Sequence, residues 1–233
     1  MPVKNKEAMK YYPINLDVQN RSCVVVGGGS VGTRKALTLL NCGAGVTVVS
    51  PEISPALLSL SNEKRLILKN RAYESSDLDQ AFLVIGATDN EALNQKIHAD
   101  AETRNMLCNI ADRPSSCNFI LPAIVCRGDL IVTISTSGAS PAYAKKLRQT
   151  LENLFGEEQA VFLKLMGKIR EKLLQEDHEP EFHKPIFENL IQSDLVEKIR
   201  TNDRIGMDEV LTRILGQDFC YEALMDEGTH ANP

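Results

Sequence analysis

The chain has 233 residues, 43% of them hydrophobic and 24% charged, with a net charge of −5 at neutral pH. That is enough for one sizeable core and a smaller second unit, and no apolar tract is long enough to span a bilayer. With no Trp, few aromatics and no basic run, the composition speaks against nucleic acid as a partner.

The charge is unevenly spread. From Leu151 onward 9 Lys and Arg face 18 Asp and Glu, which leaves a net +4 on residues 1–150. The first part therefore suits an anionic ligand and the acidic tail does not. The opening "MPVKNKEAMKYYPINL" lacks the apolar core and cleavage site of a secretory signal, so the expected compartment is the cytoplasm. Six cysteines without a C-x-x-C pair read as free, buried thiols, and four dispersed histidines (98, 178, 183 and 230) read mostly as surface residues.

In chain order, "CVVVG", "GVTVVS", "RLILKN", "FLVIGAT" and "MLCNIA" read as strands. The segments between them carry apolar residues at helical spacing, for example Ala36, Leu37 and Leu40. Strand and helix in alternation predict a parallel sheet covered on both faces, a Rossmann-like unit over residues 14–113. "NFILPAIVCRGDLIVTIST" then predicts a hairpin turning at "RGD". After it a helix opens with Ser140 as N-cap and Pro141 at the first helical position. "AVFLKLMGKIREKLLQ", "FENLIQSDLVEKIR" and "MDEVLTRILG" are amphipathic helical stretches, and the terminal "DEGTHANP" reads as frayed. The expected fold is α/β: a Rossmann dinucleotide-binding domain (1–113), a small α+β region for dimerisation and substrate binding (114–155), and a helical C-terminal domain (156–233).

The chemistry starts in "SCVVVGGGSVGTRKALTLL". Gly27, Gly29 and Gly32 form G-x-G-x-x-G between a buried strand and a helix. Gly27 permits the tight turn, Gly29 lets a pyrophosphate approach the backbone, and the helix that starts near Ser30 offers unpaired N–H groups. An acidic residue for the ribose is expected at the end of the second strand, where Ser50, Pro51 and Glu52 stand. Glu52, with no arginine behind it, favours NAD over NADP. Thr88 and Asp89, at the end of the fourth strand, are placed either to touch the cofactor or to cap the next helix.

Four segments in this order, "YYPINLDVQNRSCVVVGGGSVGTRKALTLLNCGAGVTVVSPE", "GATDNEALNQKI", "CNIADRPSSCNFILPA" and "VTISTSGASPAYAKKLR", resemble the precorrin-2 dehydrogenase family, the dehydrogenase and ferrochelatase module of siroheme synthases. The resemblance covers about residues 11–155. It implies NAD-dependent oxidation of precorrin-2 to sirohydrochlorin, with insertion of Fe²⁺ in some members, and a homodimer. The acidic tail is too short for the methyltransferase domain of the fused enzymes, so the chain is similar to the stand-alone members. The resemblance places NAD contacts at Ser30, Val31, Pro51 and Glu52; with Gly27, Gly28, Gly29, Gly32, Ser50, Thr88 and Asp89 from the loop and strand ends, these make up the expected cofactor site. It makes Asp112, in "NIADRP", the catalytic residue. It places Thr136 in the tetrapyrrole pocket, where the fused enzyme has a serine, and the expected substrate site further takes in Asn109, Arg113, Ser137, Gly138, Ser140 and Lys145.

The residues fit these roles. Oxidising a reduced tetrapyrrole needs a hydride acceptor and a proton acceptor, and Asp112 follows the fifth strand at the carboxyl edge of the sheet. An Asx turn ahead of Pro114 is the other reason for an aspartate there. A polycarboxylate substrate needs cations and backbone donors, offered by Arg113, Lys145, Lys146, Arg148 and the helix start at Ser140. No His, Cys or carboxylate spacing suggests a resident metal. An NAD-sensing regulatory module is the alternative that would share the glycine loop and need no Asp112.

Overall fold

The structure, a computed structural model, describes residues 9–175 and 183–226. The chain forms two compact units, one ending at Leu121 and the other beginning at Pro122.

The first unit is a five-stranded parallel sheet in the order β3-β2-β1-β4-β5. Its strands are β1 (Ser22–Gly28), β2 (Gly45–Ile53), β3 (Ile67–Lys69), β4 (Leu83–Gly86) and β5 (Leu107–Ile110). The run Cys23–Val26 shows no alternation because both faces of the central strand are covered. Cys23 and Val25 enter one core with Ala36, Val48, Leu57 and Ile85, while Val24 and Val26 enter the other with Val49, Leu78, Ile97 and Ile110. Helices α1 (Ser30–Asn41) and α2 (Pro55–Asn62) supply Ala36 and Leu57 to the first core, and α3 (Glu91–Glu102) supplies Ile97 to the second. All five strands read from the sequence are present.

Between β3 and β4 the expected helix is absent. A single 3₁₀ turn, Ser75–Leu78, stands in its place. The turn is held by Asp77, whose carboxylate is buried and accepts from Lys69 Nζ (2.8 Å), from Arg71 Nη1 and Nη2 (2.8 and 2.6 Å) and from the backbone N–H of Glu74 (2.9 Å). Burial pushes this carboxyl up, and the hydrogen bonds from Arg71 and Lys69 outweigh that and hold it well below the usual carboxylate range.

The second unit opens with the expected hairpin, β6 (Ala123–Arg127) and β7 (Leu130–Ile134). Gly128 supplies the positive φ of +57° at the first central position of its two-residue turn. Helix α4 (Pro141–Leu154) begins as the sequence predicts, with Ser140 Oγ accepting from the Tyr143 N–H and Pro141 at N1. The Arg127 guanidinium ties the hairpin to the end of α4 by donating to the carbonyls of Phe155 (2.9 Å) and Glu152 (3.1 Å). Among the described residues five helices follow: α5 (Glu158–Leu174), α6 (His183–Gln192), α7 (Leu195–Arg200), α8 (Arg204–Leu215) and α9 (Tyr221–Met225). Leu165, Ile169, Leu190, Leu195, Met207 and Leu211 fill their common core.

Several expectations are corrected here. "FENLIQSDLVEKIR" is two helices, because Ser193 Oγ donates to the Leu190 carbonyl and accepts from the Leu195 N–H, local bonds that replace the helical ladder. Helix α9 has no counterpart among the predicted stretches. His183 is buried at the start of α6, whereas His178, His230 and most of "DEGTHANP" lie outside the described residues. The thiols are only partly buried as a group: Cys23 and Cys108 are buried, but Cys42 and Cys126 are exposed. Burial pushes Cys23 up to about 11 and Cys108 up to about 12, so both remain protonated thiols at neutral pH. Among the described residues no helix is long and apolar enough to cross a membrane.

Because Asp77 titrates lower in the folded chain than in the unfolded one, its contribution is present above the unfolded pKa, near 3.8, and is lost as pH falls through the folded value. We expect Asp77→Asn to be less stable by about 2 kcal/mol at pH 7, as for hydrogen bonds to charged groups. Urea unfolding repeated below pH 3 should show the gap to the parent protein narrowed.

Candidate functional site

The glycine loop joins β1 to α1 at the carboxyl edge of the sheet, and its four glycines divide by what surrounds them. A Cβ on Gly27 would meet the Ala87 carbonyl oxygen at 2.2 Å, one on Gly28 the Glu52 oxygen at 2.1 Å, and one on Gly32 the Gly27 oxygen at 2.0 Å. Gly27 also has a φ of +119°. These three are required for backbone to pack on backbone, of the loop against the ends of β2 and β4 and of α1 against the loop. Gly29 differs: nothing lies within 4 Å of a Cβ placed there, and its φ is −76°. Its bareness faces open space.

Helix α1 begins without a side-chain cap. Ser54, Asn90, Ser140 and Asp203 each accept a backbone N–H at the start of their helices, whereas Gly29, like Glu157, Asp194 and Cys220 at other helix starts, supplies no such bond. Ser30 is exposed and Val31 half-buried at this end. Thr33 Oγ1 bonds Ser54 Oγ at 2.8 Å and so links α1 to the start of α2. A cradle with an empty place at Gly29 and free N–H groups behind it fits a dinucleotide pyrophosphate.

The end of β2 runs beside this loop, with the Ser54 N–H donating to the Gly28 carbonyl at 3.0 Å. Ser50 is buried and donates to the Glu52 carbonyl at 2.7 Å, and Pro51 and Glu52 are exposed. On the other side of β1, Thr88 lies against Gly27, its Cγ2 3.4 Å from where a Cβ would stand on that glycine, and its hydroxyl donates to Asn94 Oδ1. The cap of α3 is neither Thr88 nor Asp89 but Asn90, whose Oδ1 accepts from the Leu93 N–H at 3.0 Å.

Asp112 follows β5. The Ala111 N–H completes the ladder to Gly86 at 2.8 Å, and Asp112 then turns the chain with a φ of +59°, a left-handed conformation that aspartate tolerates better than most residues. The Asx turn does not form: among the described residues its exposed carboxylate accepts no hydrogen bond. Its position comes instead from the segment behind it. Cys117 Sγ sits 3.2 Å from the Ile110 N and 3.3 Å from its carbonyl. Asn118 accepts from the Cys108 N–H (2.8 Å) and donates to the Met106 carbonyl (2.8 Å), so one side chain satisfies the outer edge of β5. Sequence reasoning misses both residues, since "SSCN" carries no spacing that marks an edge.

Of the proposed substrate contacts in this unit, Asn109 is buried and donates to the Phe119 carbonyl at 3.0 Å, and Arg113 pairs with Glu91 at 3.3 Å. In the second unit, Thr136, Ser137, Gly138 and Ser140 form one turn ahead of α4. Ser137 and Gly138 take φ values of +52° and +87°, and Thr136 Oγ1 accepts from the Ser140 N–H at 3.1 Å. Lys145 is exposed one turn into α4. Among the described residues no three His, Cys, Asp or Glu side chains are gathered to hold a metal.

This geometry is that of a dinucleotide-binding Rossmann domain. Residues 14–123 match the family described as "Putative NAD(P)-binding", and residues 127–154 match the "Sirohaem biosynthesis protein central" family. The siroheme synthase of Acinetobacter baylyi is 32% identical over 210 residues and that of Escherichia coli 33%, each alignment covering 90% of this chain and 46% of the relative. The chain thus spans about half the length of these curated relatives. A solved structure titled SirC, precorrin-2 dehydrogenase, superposes with a TM-score of 0.75 at 26% identity over 88% of this chain and 98% of its own. The chain is thus similar to a precorrin-2 dehydrogenase over most of both chains and to siroheme synthases over about half their length.

The glycines allow a test without any ligand. Gly29→Ala should leave the thermal midpoint within about 2 °C, since surface changes are small. Gly32→Ala forces an overlap onto backbone and should cost about 3 kcal/mol or more, read by urea unfolding.

Proposed function

We propose that this chain oxidises precorrin-2 to sirohydrochlorin with NAD as cofactor. The observation that carries the reading is a free carboxylate, Asp112, held on a fixed turn at the same sheet edge as the glycine cradle. When bound, NAD supplies the acceptor for the hydride. The amides of Ser30, Val31 and Gly32 hold the pyrophosphate, and Gly29 lets it come close. Glu52 accepts from the ribose hydroxyls. The cations at the end of neighbouring β3 and just beyond it, Lys69 and Arg71, are both engaged by Asp77, which favours NAD over the 2′-phosphorylated cofactor. Asp112 takes the proton that the ring loses as the hydride leaves, and its exposure lets that proton pass to water.

In the second unit, the Thr136–Ser140 turn, the N-terminus of α4 and Lys145 receive substrate carboxylates. We assign residues 1–113 to dinucleotide binding, 114–155 to substrate and dimer contacts and 156–233 to a helical domain. The β6–β7 ribbon leaves Ile124 (41% exposed) and Ile131 (53%) uncovered, which supports a homodimer formed through it. Fe²⁺ enters as the substrate of a slower insertion step in which Asp112 accepts pyrrole protons. The compartment is the cytoplasm. The alternative of an NAD-sensing module without catalysis finds no support among the relatives.

An anaerobic spectral assay with precorrin-2 and NAD tests the reading directly; no enzyme-dependent sirohydrochlorin would refute it. Two variants separate binding from chemistry. Gly29→Asp places a negative charge in the open position, so calorimetry should find NAD binding lost while the thermal midpoint is kept. Asp112→Asn should bind NAD within a few-fold of normal and turn over about 10²-fold more slowly, the usual loss for a positioned base.

A further inference from the structure

Lys35 lies in α1, one turn beyond Val31 and beside the buried row Gly32, Ala36 and Leu39. It is half-buried. The other partly buried cations of this unit, Lys69 and Arg71, pair with Asp77. Lys35 makes no hydrogen bond or ion pair among the described residues. An ammonium withdrawn from water without a counter-ion is unfavourable, and its environment shows this: burial pulls its pKa down, Arg34 adds to that, and Asp112 alone pulls the other way.

Asp112 is equally without a hydrogen bond or ion pair; it follows β5 at the carboxyl edge of the parallel sheet, and Lys35 stands one turn into the helix that starts at that same edge. A guest between them must offer an anion to one side and a proton to the other. A reduced tetrapyrrole does both, with acetate and propionate chains on the ring whose protons are removed. The cofactor pyrophosphate fits Lys35 less well, because its donors are the amides of the first turn, Ser30 to Gly32, and Lys35 stands beyond them.

We propose that Lys35 is a substrate-positioning residue that receives a carboxylate side chain of the tetrapyrrole and so sets the ring against Asp112. The inference rests on the dehydrogenase reading above. Lys35→Met keeps the length and apolar stem of the side chain, so the fold should be retained, with a thermal midpoint near that of the parent. Three quantities are measured: NAD affinity by calorimetry, sirohydrochlorin affinity by fluorescence without NAD, and anaerobic KM and kcat for precorrin-2. Lys35→Met should weaken sirohydrochlorin binding and raise KM by about tenfold or more, as for loss of one charge-assisted contact, with NAD affinity within about twofold. Lys35→Arg should recover most of the loss. Weakened NAD with unchanged sirohydrochlorin affinity would make Lys35 a phosphate ligand and overturn the inference, as would no change in either. A parent chain that neither binds sirohydrochlorin nor oxidises precorrin-2 would remove the dehydrogenase reading and this inference with it.

Discussion

Everything in the first unit depends on backbone meeting backbone at the head of β1. The strand is covered on both faces, and at its carboxyl end Gly27, Gly28 and Gly32 admit the carbonyls of Ala87, Glu52 and Gly27 itself to distances no side chain would permit. This contact draws the ends of β2 and β4 toward the loop and seats α1 on it. The cradle for the dinucleotide follows from the packing. Gly29, with nothing within 4 Å of a Cβ placed there, is the one glycine of the four that this packing does not need.

The aspartate is placed by a different device. A strand at the edge of a parallel sheet ends in unpaired groups, and a loop leaving such an edge has nothing to hold it. Here Asn118 and Cys117 return to the main chain of β5, so the turn at Asp112 is fixed from outside while its carboxylate stays free. Rigid backbone around an uncommitted acid is the arrangement that proton transfer at a stated place requires.

Much of this is legible in the residues. The five strands announce themselves as β-branched runs, the hairpin by Gly128, and α4 by Ser140 and Pro141, because these signals are local. What escapes the sequence is which side-chain hydrogen bonds form. The segment between β3 and β4 has apolar residues, but its conformation is decided by Asp77 bonding to Lys69 and Arg71, which no periodicity reports. Ser193 divides a helical pattern through bonds to its own neighbours, and the pattern alone reads as continuous. The four glycines are identical in sequence, and only the surrounding carbonyls tell three structural positions from one facing open space. Lys35 reads as an ordinary solvated helix residue until its half-burial and missing partner are seen.

Asn118 has a consequence for solubility and assembly. An amide side chain laid along the rim of β5 imitates a peptide group of a sixth strand, so the rim is closed to any extended segment that would add there. A chain that left this rim bare would offer a flat template for edge-to-edge growth during folding, when several copies are partly open at once. One asparagine therefore acts as a terminator of the sheet, confining self-association to surfaces other than this ladder.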